Sequence, residues 1–178
     1  MNDKMVAVRA LMDGKPRARL GFFPTPFYKL ENLSRILNVQ LYIKRDDFSG
    51  MSLFGGNKVR KLEYLLGDAL SKGCDTVFTY GATQSNHAMQ TVTACRRLGL
   101  EPILYLNAYV EPNEKDIRSN MLLDRILGAE MHIVRSEGSE TEAVTEARCF
   151  AMGKEHARRL EAEGRRCYDI PLGGASHI

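Results

Sequence analysis

The 178-residue sequence predicts an α/β fold of parallel strands with flanking helices. Three features predict it. Strand-like segments alternate with amphipathic ones, glycines follow the ends of the helical stripes, and two strand-helix-strand units succeed one another from Thr76 to Val134.

Taken in order, the chain begins with a polar entry. Phe23-Pro24-Thr25-Pro26 then reads as extended, because each proline disfavours helix in the residue before it. Leu41 to Lys44 alternates like a short strand. From Lys58, the residues Leu62, Leu65, Leu66, Ala69 and Leu70 recur at spacings of three and four, the stripe of an amphipathic helix that Gly73 ends. A strand at Thr76 to Tyr80, a turn at Gly81, a helix from Ala88 to Leu98 closed by Gly99, and a strand at Ile103 to Leu106 form the first crossover. Pro112 and Asn113 open the next helix, with Ile117, Met121, Leu122 and Ile126 as its stripe and Gly128 as its cap, before a strand at Met131 to Val134. Ser139 to Glu163 reads as a long helix with Val144, Ala147, Ala151 and Leu160 inward and Glu142, Glu146, Arg158 and Arg159 outward. A last strand follows at Cys167 to Ile170, and Pro171 to Ile178 stop without a terminating element, as in a chain that is cut.

Composition is that of a globular protein, 44% hydrophobic and 26% charged. The net charge is only +3 and the cations are scattered among acids, which argues against nucleic-acid and membrane partners and for a small molecule. Met1 to Leu11 is too short and too charged for a signal peptide, and no segment approaches the roughly 20 apolar residues of a membrane helix. Cys74, Cys95, Cys149 and Cys167 show no paired spacing, so reduced cysteines in a cytoplasmic protein are expected.

Chemistry concentrates at two places. At Gly55-Gly56-Asn57-Lys58, the cations Lys58, Arg60 and Lys61 crowd a helix start that already carries partial positive charge. An anion would resolve that repulsion, since a phosphate is held by helix N–H groups and lysine together, with Gly55 and Gly56 permitting close backbone approach. Alone, the segment equally fits solvated cations beside a flexible turn. It is not a P-loop, because the earlier glycine and the Ser or Thr after the lysine are missing. The second place is Thr83-Gln84-Ser85-Asn86-His87, at the carboxyl end of a strand where α/β proteins bind ligands. One capping hydroxyl would explain part of it. The functional reading is a carboxylate or phosphate grip by Ser85 and Asn86, with His87 as a proton relay. By spacing, His87, His132, His156 and His177 lack carboxylate or cysteine companions, so no metal site is expected, and Ser85 with His87 lacks a third orienting group for nucleophilic catalysis.

Together, Gly55 to Leu65 and Gln84-Ser85-Asn86-His87 resemble the D-cysteine desulfhydrase and 1-aminocyclopropane-1-carboxylate deaminase family of pyridoxal-phosphate enzymes, of tryptophan synthase beta-like fold. The resemblance runs from about Pro24 to Gly174 and includes Lys44-Arg45-Asp46-Asp47, Asn120 to Ala129, Tyr168 and Ile170-Pro171. It implies two lobes: residues 1–61 and 167–178 in a large cofactor lobe whose C-terminal part lies beyond this chain, and 62–166 in a small α/β lobe.

The resemblance further implies that Lys58 is the Schiff-base lysine, with neighbouring Arg60 and Lys61 favouring its neutral form. It makes Asn57, Lys61 and Asn86 cofactor contacts, the last near the ring hydroxyl. Ser85, Asn86 and His87 become the substrate-carboxylate loop, with Ser85 also a nucleophile or proton carrier. The implied reaction converts D-cysteine to pyruvate, sulfide and ammonia in a homodimer. Aminocyclopropane carboxylate deamination and L-cysteate cleavage are the alternatives, and histidine at 87, where the deaminases resemble this loop with glutamine, favours the desulfhydrase. A non-catalytic cofactor- or anion-binding module, or a truncated remnant that cannot bind cofactor, is the reading from another class. Ser119 stands where the family usually has glycine before Asn120, and Ala175-Ser176-His177 departs from the Ser-Asn that typically follows Gly173-Gly174.

Overall fold

The computed structural model describes residues 3–50, 55–108 and 117–176. Its centre is a four-stranded parallel sheet in the order β5-β4-β3-β6, made of β3 (Thr76–Ala82), β4 (Glu101–Ala108), β5 (Glu130–Arg135) and β6 (Cys167–Ile170). β3 and β4 are buried almost throughout, as strands covered on both faces must be. Their long apolar runs follow from that. Thr76 pairs with Glu101 on one side and with Cys167 on the other, so the lobe boundary drawn at Cys167 falls on the first residue of a strand of this sheet.

The helices are α1 (Asp3–Asp13), α2 (Glu31–Leu37), α3 (Asn57–Ser71), α4 (Asn86–Leu98), α5 (Ser119–Ile126) and α6 (Glu142–Ala162). A two-stranded antiparallel ribbon of β1 (Phe27–Lys29) and β2 (Tyr42–Lys44) stands apart from the parallel sheet. Neither α1 nor α2 nor β1 is marked in the sequence. α1 buries none of its residues and α2 buries only Ser34, so neither carries a stripe to read.

Three helices bury different faces from those expected. In α3, Leu62, Leu65, Leu66 and Ala69 are buried as the stripe predicts, but Leu70 is exposed. In α5, Met121 points inward while Leu122 and Ile126 face out, and Asp124 takes the inward position. The opening at Pro112 and Asn113 lies outside the described residues. In α6, which starts at Glu142, Val144, Ala147 and Ala151 are exposed and the buried residues are Thr145, Cys149 and Gly153. The cause is the sheet face opposite. Tyr80 approaches so closely that a Cβ on Gly153 would lie 2.7 Å from its ring, and the Phe150 ring sits 4.3 Å from that of Tyr80. Small residues must face bulky aromatics, whatever their hydropathy.

The N-terminal segment is docked onto α3 by one buried carboxylate. Glu63, 2% exposed, accepts from Arg17 Nε at 2.8 Å and from the backbone N–H groups of Leu20 and Gly21 at 3.0 Å each. Gly67, one turn further along, passes so close to Pro16 and Arg17 that a Cβ would meet their backbone at 2.6 to 2.7 Å. Replacing Glu63 by Ala strands both N–H groups, and the unfolding free energy is expected to fall by about 2 to 4 kcal/mol, with a smaller loss for Glu63→Gln, measured by urea denaturation.

Asp124 is the opposite case. Both carboxylate oxygens are buried without a partner among the described residues, and burial pushes its pKa up to about 7. The folded chain therefore retains a proton that the unfolded chain releases near pH 4. Stability is expected to decline as pH rises from about 4 to about 7, by on the order of 4 kcal/mol, and Asp124→Asn should flatten that slope in denaturation midpoints taken across this range.

Candidate active site

Two glycines seat the start of α3. A Cβ on Gly55 would lie 2.1 Å from the Asp47 carbonyl oxygen, and Gly56, with φ of 144°, adopts a conformation that side chains disfavour. The close approach that Gly55 permits is thus to the chain's own backbone. Ser49 completes the seat: its hydroxyl donates to the Asp46 carbonyl oxygen at 2.6 Å and accepts from the Gly56 N–H at 3.0 Å.

The expected crowd of cations is resolved differently for each. Arg60 pairs through both Nε and Nη2 with the Asp46 carboxylate at 2.8 Å and lies over the Phe23 ring, which removes it from the lysines and, with Thr25 donating to the same carboxylate, holds the Asp46 pKa down at about 2. Lys58 and Lys61 both direct Nζ at the Gly173 carbonyl oxygen, each at 3.3 Å. Two lysines thus share one neutral acceptor, a long and weak arrangement, and neither pairs with a carboxylate among the described residues. Asn57, in the first turn, is exposed.

Gly173 and Gly174 belong to a tight turn, Leu172–Gly174, that follows β6, with φ of 65° and 67°. A Cβ on Gly174 would fill the space between His87 Cε1 at 3.2 Å, Leu65 Cδ1 at 3.3 Å and Lys61 Cδ at 3.6 Å. The turn, α3 and α4 therefore meet at this point. On its outer side lies a cleft of about 230 Å³ lined by Lys61, Tyr64, Leu65 and Gly174 together with Met12 and Lys15.

The polar loop after β3 heads α4. Ser85 is its N-cap, Oγ accepting from the Ala88 N–H at 3.2 Å. A Cβ on Gly81 would lie 2.7 Å from Ser85 Cβ and Oγ, so no side chain fits there. The N–H groups of Asn86 and His87 donate to no group among the described residues, which leaves a pair of donors at the positive end of α4. Asn120 at the start of α5 ties the loop down: its Nδ2 donates to the Gln84 carbonyl oxygen at 2.9 Å and to Asn86 Oδ1 at 2.8 Å, while Gln84 Oε1 accepts from the Asn120 N–H at 3.0 Å.

His87 does not present its ring to solvent. It is 4% exposed, and its Nε2 lies 3.1 Å from Thr79 Oγ1, whose hydroxyl donates to the Ile170 carbonyl oxygen at 3.0 Å. The single Thr79 hydrogen is committed to a carbonyl, so Nε2 carries the hydrogen and Nδ1 is a bare, buried acceptor without a partner. Burial first, then the charges of Lys58 and Lys61, push its pKa down to about 4. The ring is thus neutral at pH 7 and faces Thr79 rather than solvent. What His87 offers the cleft is its backbone N–H.

Sequence reading missed Thr79, Gln90 and the tethering role of Asn120. Gln90 is buried with Oε1 unpartnered, and its Nε2 is 3.4 Å from where a Cβ of Gly56 would sit. Its signal was a polar residue among Ala88, Met89 and Val92 on a buried helix face.

Ser119, directly before Asn120, has φ of 52°. That left-handed conformation costs a serine about 1 kcal/mol, which glycine avoids at the expense of a freer unfolded chain. Ser119→Gly is expected to raise stability by up to about 1 kcal/mol, read as a higher urea midpoint.

The family described as "Pyridoxal-phosphate dependent enzyme" matches residues 18–177. A Pyrococcus abyssi protein provisionally named 1-aminocyclopropane-1-carboxylate deaminase is 45% identical over 171 residues, covering 96% of this chain and 48% of that protein. D-cysteine desulfhydrase of Serratia proteamaculans is 37% identical, covering 92% and 47%. The crystal structure of an ACC deaminase homologue superposes with a TM-score of 0.79 at 43% identity, over 95% of this chain and 48% of that one. The chain spans about half the length of the relatives it matches. It belongs to the family of pyridoxal-phosphate-dependent enzymes, with the α/β architecture that the order of its strands and helices predicts.

Proposed function

We propose that this chain forms part of a pyridoxal-phosphate-dependent lyase that eliminates the β-substituent of D-cysteine to give pyruvate, sulfide and ammonia. The observation that carries the reading is Lys58: a half-buried amine whose one hydrogen bond among the described residues is a long contact to Gly173, beside a helix terminus with two N–H groups that donate to no described residue. The cleft suits the cofactor. Lys61 lines it and Lys58 stands beside it at the same Gly173 carbonyl, which together offer an amine for an aldehyde and positive charge for a phosphate.

Pyridoxal phosphate supplies an electron sink for negative charge developing at the α-carbon of an amino acid. Lys58 Nζ would be the group that holds the cofactor covalently, and as an amine it could take the α-proton. Lys61 would hold the phosphate, Asn57 and Asn86 would contact the cofactor, and the Asn86 and His87 N–H groups with the Ser85 hydroxyl would hold the substrate carboxylate. Asn120 keeps Asn86 oriented, and Thr79 keeps the His87 ring turned inward so that its N–H faces the loop.

The same reading includes a homodimer and the division into two lobes. The exposed apolar residues Leu33, Ile36, Leu37 and Val39 around α2, and the stacked, exposed Phe27 and Tyr42, are then surface to be covered by the remainder of the larger lobe. Among the described residues no helix is long and apolar enough to cross a membrane.

Ring opening of aminocyclopropane carboxylate is the second reading, favoured by the higher identity to the Pyrococcus relative and by the inward turn of His87, whose ring bonds Thr79. The enzyme containing this chain is assayed for sulfide and pyruvate from D-cysteine, for 2-oxobutanoate from aminocyclopropane carboxylate, and for sulfite from L-cysteate. Lys58→Ala is expected to abolish turnover and covalent retention of the cofactor, seen by mass. Retention without turnover on any of the three substrates would leave a cofactor-carrying module instead, and retention in the variant would remove Lys58 from the role.

A further inference from the structure

Away from that cleft, the outer face of the sheet brings together three residues that are dispersed in sequence. Glu130 and His132 alternate onto one face of β5, the edge strand, and His156 reaches them from α6. His132 Nε2 is 2.6 Å from Glu130 Oε1, His156 Nδ1 is 3.8 Å from the same oxygen, and one ligand atom from each of the three lies within 4.8 Å of the others.

Aromatic packing holds both imidazoles in place. The Tyr105 ring stacks on His132 at 4.5 Å and 11°, and the His156 ring stands edge-on to Phe78 at 5.4 Å. The Tyr105 hydroxyl is 3.1 Å from His156 Nδ1. The His156 side chain is 11% exposed, whereas Glu130 and His132 open to solvent, which gives an ion a path inward.

We propose that Glu130, His132 and His156 form a binding site for a divalent cation of the zinc class. Two imidazoles and one carboxylate are the donor set that borderline cations prefer, and three protein ligands leave a position for water. Bonds of about 2.1 Å in a tetrahedron place ligand atoms about 3.4 Å apart. The 3.8 Å between Glu130 and His156 already approaches this, and the 2.6 Å between Glu130 and His132 opens by rotation of the exposed Glu130 side chain. Arg159 on α6 and Glu163 just after it act on His156 with opposite charge, so that neither sign dominates the approach. An ion here links edge strand β5 to α6, and its role is structural.

The spacing argument weighed ligands along the chain, where Glu130 and His132 alone are neighbours. The third ligand comes from a helix that begins after β5 and returns across it.

The test is zinc binding to chelator-treated protein, by calorimetry and metal counting, with the thermal midpoint as a second readout. The expected result is one zinc per chain, at least a tenfold loss of affinity in each of Glu130→Gln and His132→Ala, and a midpoint rise with zinc in the parent that both variants lose. Both positions are solvent-open, so the variants are expected to fold; His156→Gln supplies a third arm. Cobalt substitution should give ligand-field bands without the sulfur charge-transfer absorption that binding at Cys74 or Cys167 would produce. No zinc uptake by the parent, or uptake that survives unchanged in Glu130→Gln and His132→Ala, overturns the proposal.

Discussion

The Glu63 carboxylate sits where helix α3 and the N-terminal arm must meet. It is buried on α3, the helix whose first turn carries Lys58, and it satisfies the Arg17 guanidinium and two backbone N–H groups of the arm that wraps that helix. A buried charge is tolerable only when fully partnered, so the arm has one position in which the helix is stable. Gly67 narrows the choice further, because the arm's backbone occupies the space of its missing side chain. The Arg60 pair with Asp46 and the Ser49 contacts with Gly56 then fix the start of the helix from the other side. Lys58 is presented by a helix held at both its beginning and its middle.

The parallel sheet positions what faces that lysine. β3 is bonded on both sides, to β4 and to β6, and its Thr79 hydroxyl joins the end of β6 to the first turn of α4 through Ile170 and His87. The turn at Gly173 and the loop at Ser85 therefore move with one strand. Their register relative to Lys58 is set by backbone ladders, which deform little, and a cleft built this way needs few side chains to keep its shape.

Polar groups in this chain divide by whether they are answered. Glu63, Arg60 and Asn120 have good partners and serve the architecture. The lysines at Gly173, the acceptors His87 Nδ1 and Gln90 Oε1, and the free N–H groups of α4 are poorly satisfied, and all belong to the elements that meet at the cleft. Asn107, Asp124 and Arg148 also leave buried atoms unpartnered away from Lys58, so the two lysines sharing the Gly173 carbonyl mark the place more firmly than the buried acceptors do.

Much of this was legible in the sequence. Period-2 and period-3.6 patterns located β3, β4, α3 and α4, because those elements bury continuous apolar faces, and the two polar loops announced themselves as more polar than capping requires. The amphipathic rule failed for α6, where Tyr80 selects Gly153 and Cys149 over Val144, and for α1 and α2, which bury almost nothing. The charges on Lys58, Arg60 and Lys61 were visible, but not that Asp46 would claim one of them. His87 was visible as a site residue, but its inward ring depends on Thr79, on a strand that only the sheet brings beside it. The sequence by itself determined the order of elements, the parallel sheet and the two loops, since these rest on local periodicity and backbone preference. Tertiary structure alone decided which face each helix buries, which charges are neutralised, and that Glu130, His132 and His156 converge, because those outcomes depend on atoms distant in the chain competing for the same space and the same partners.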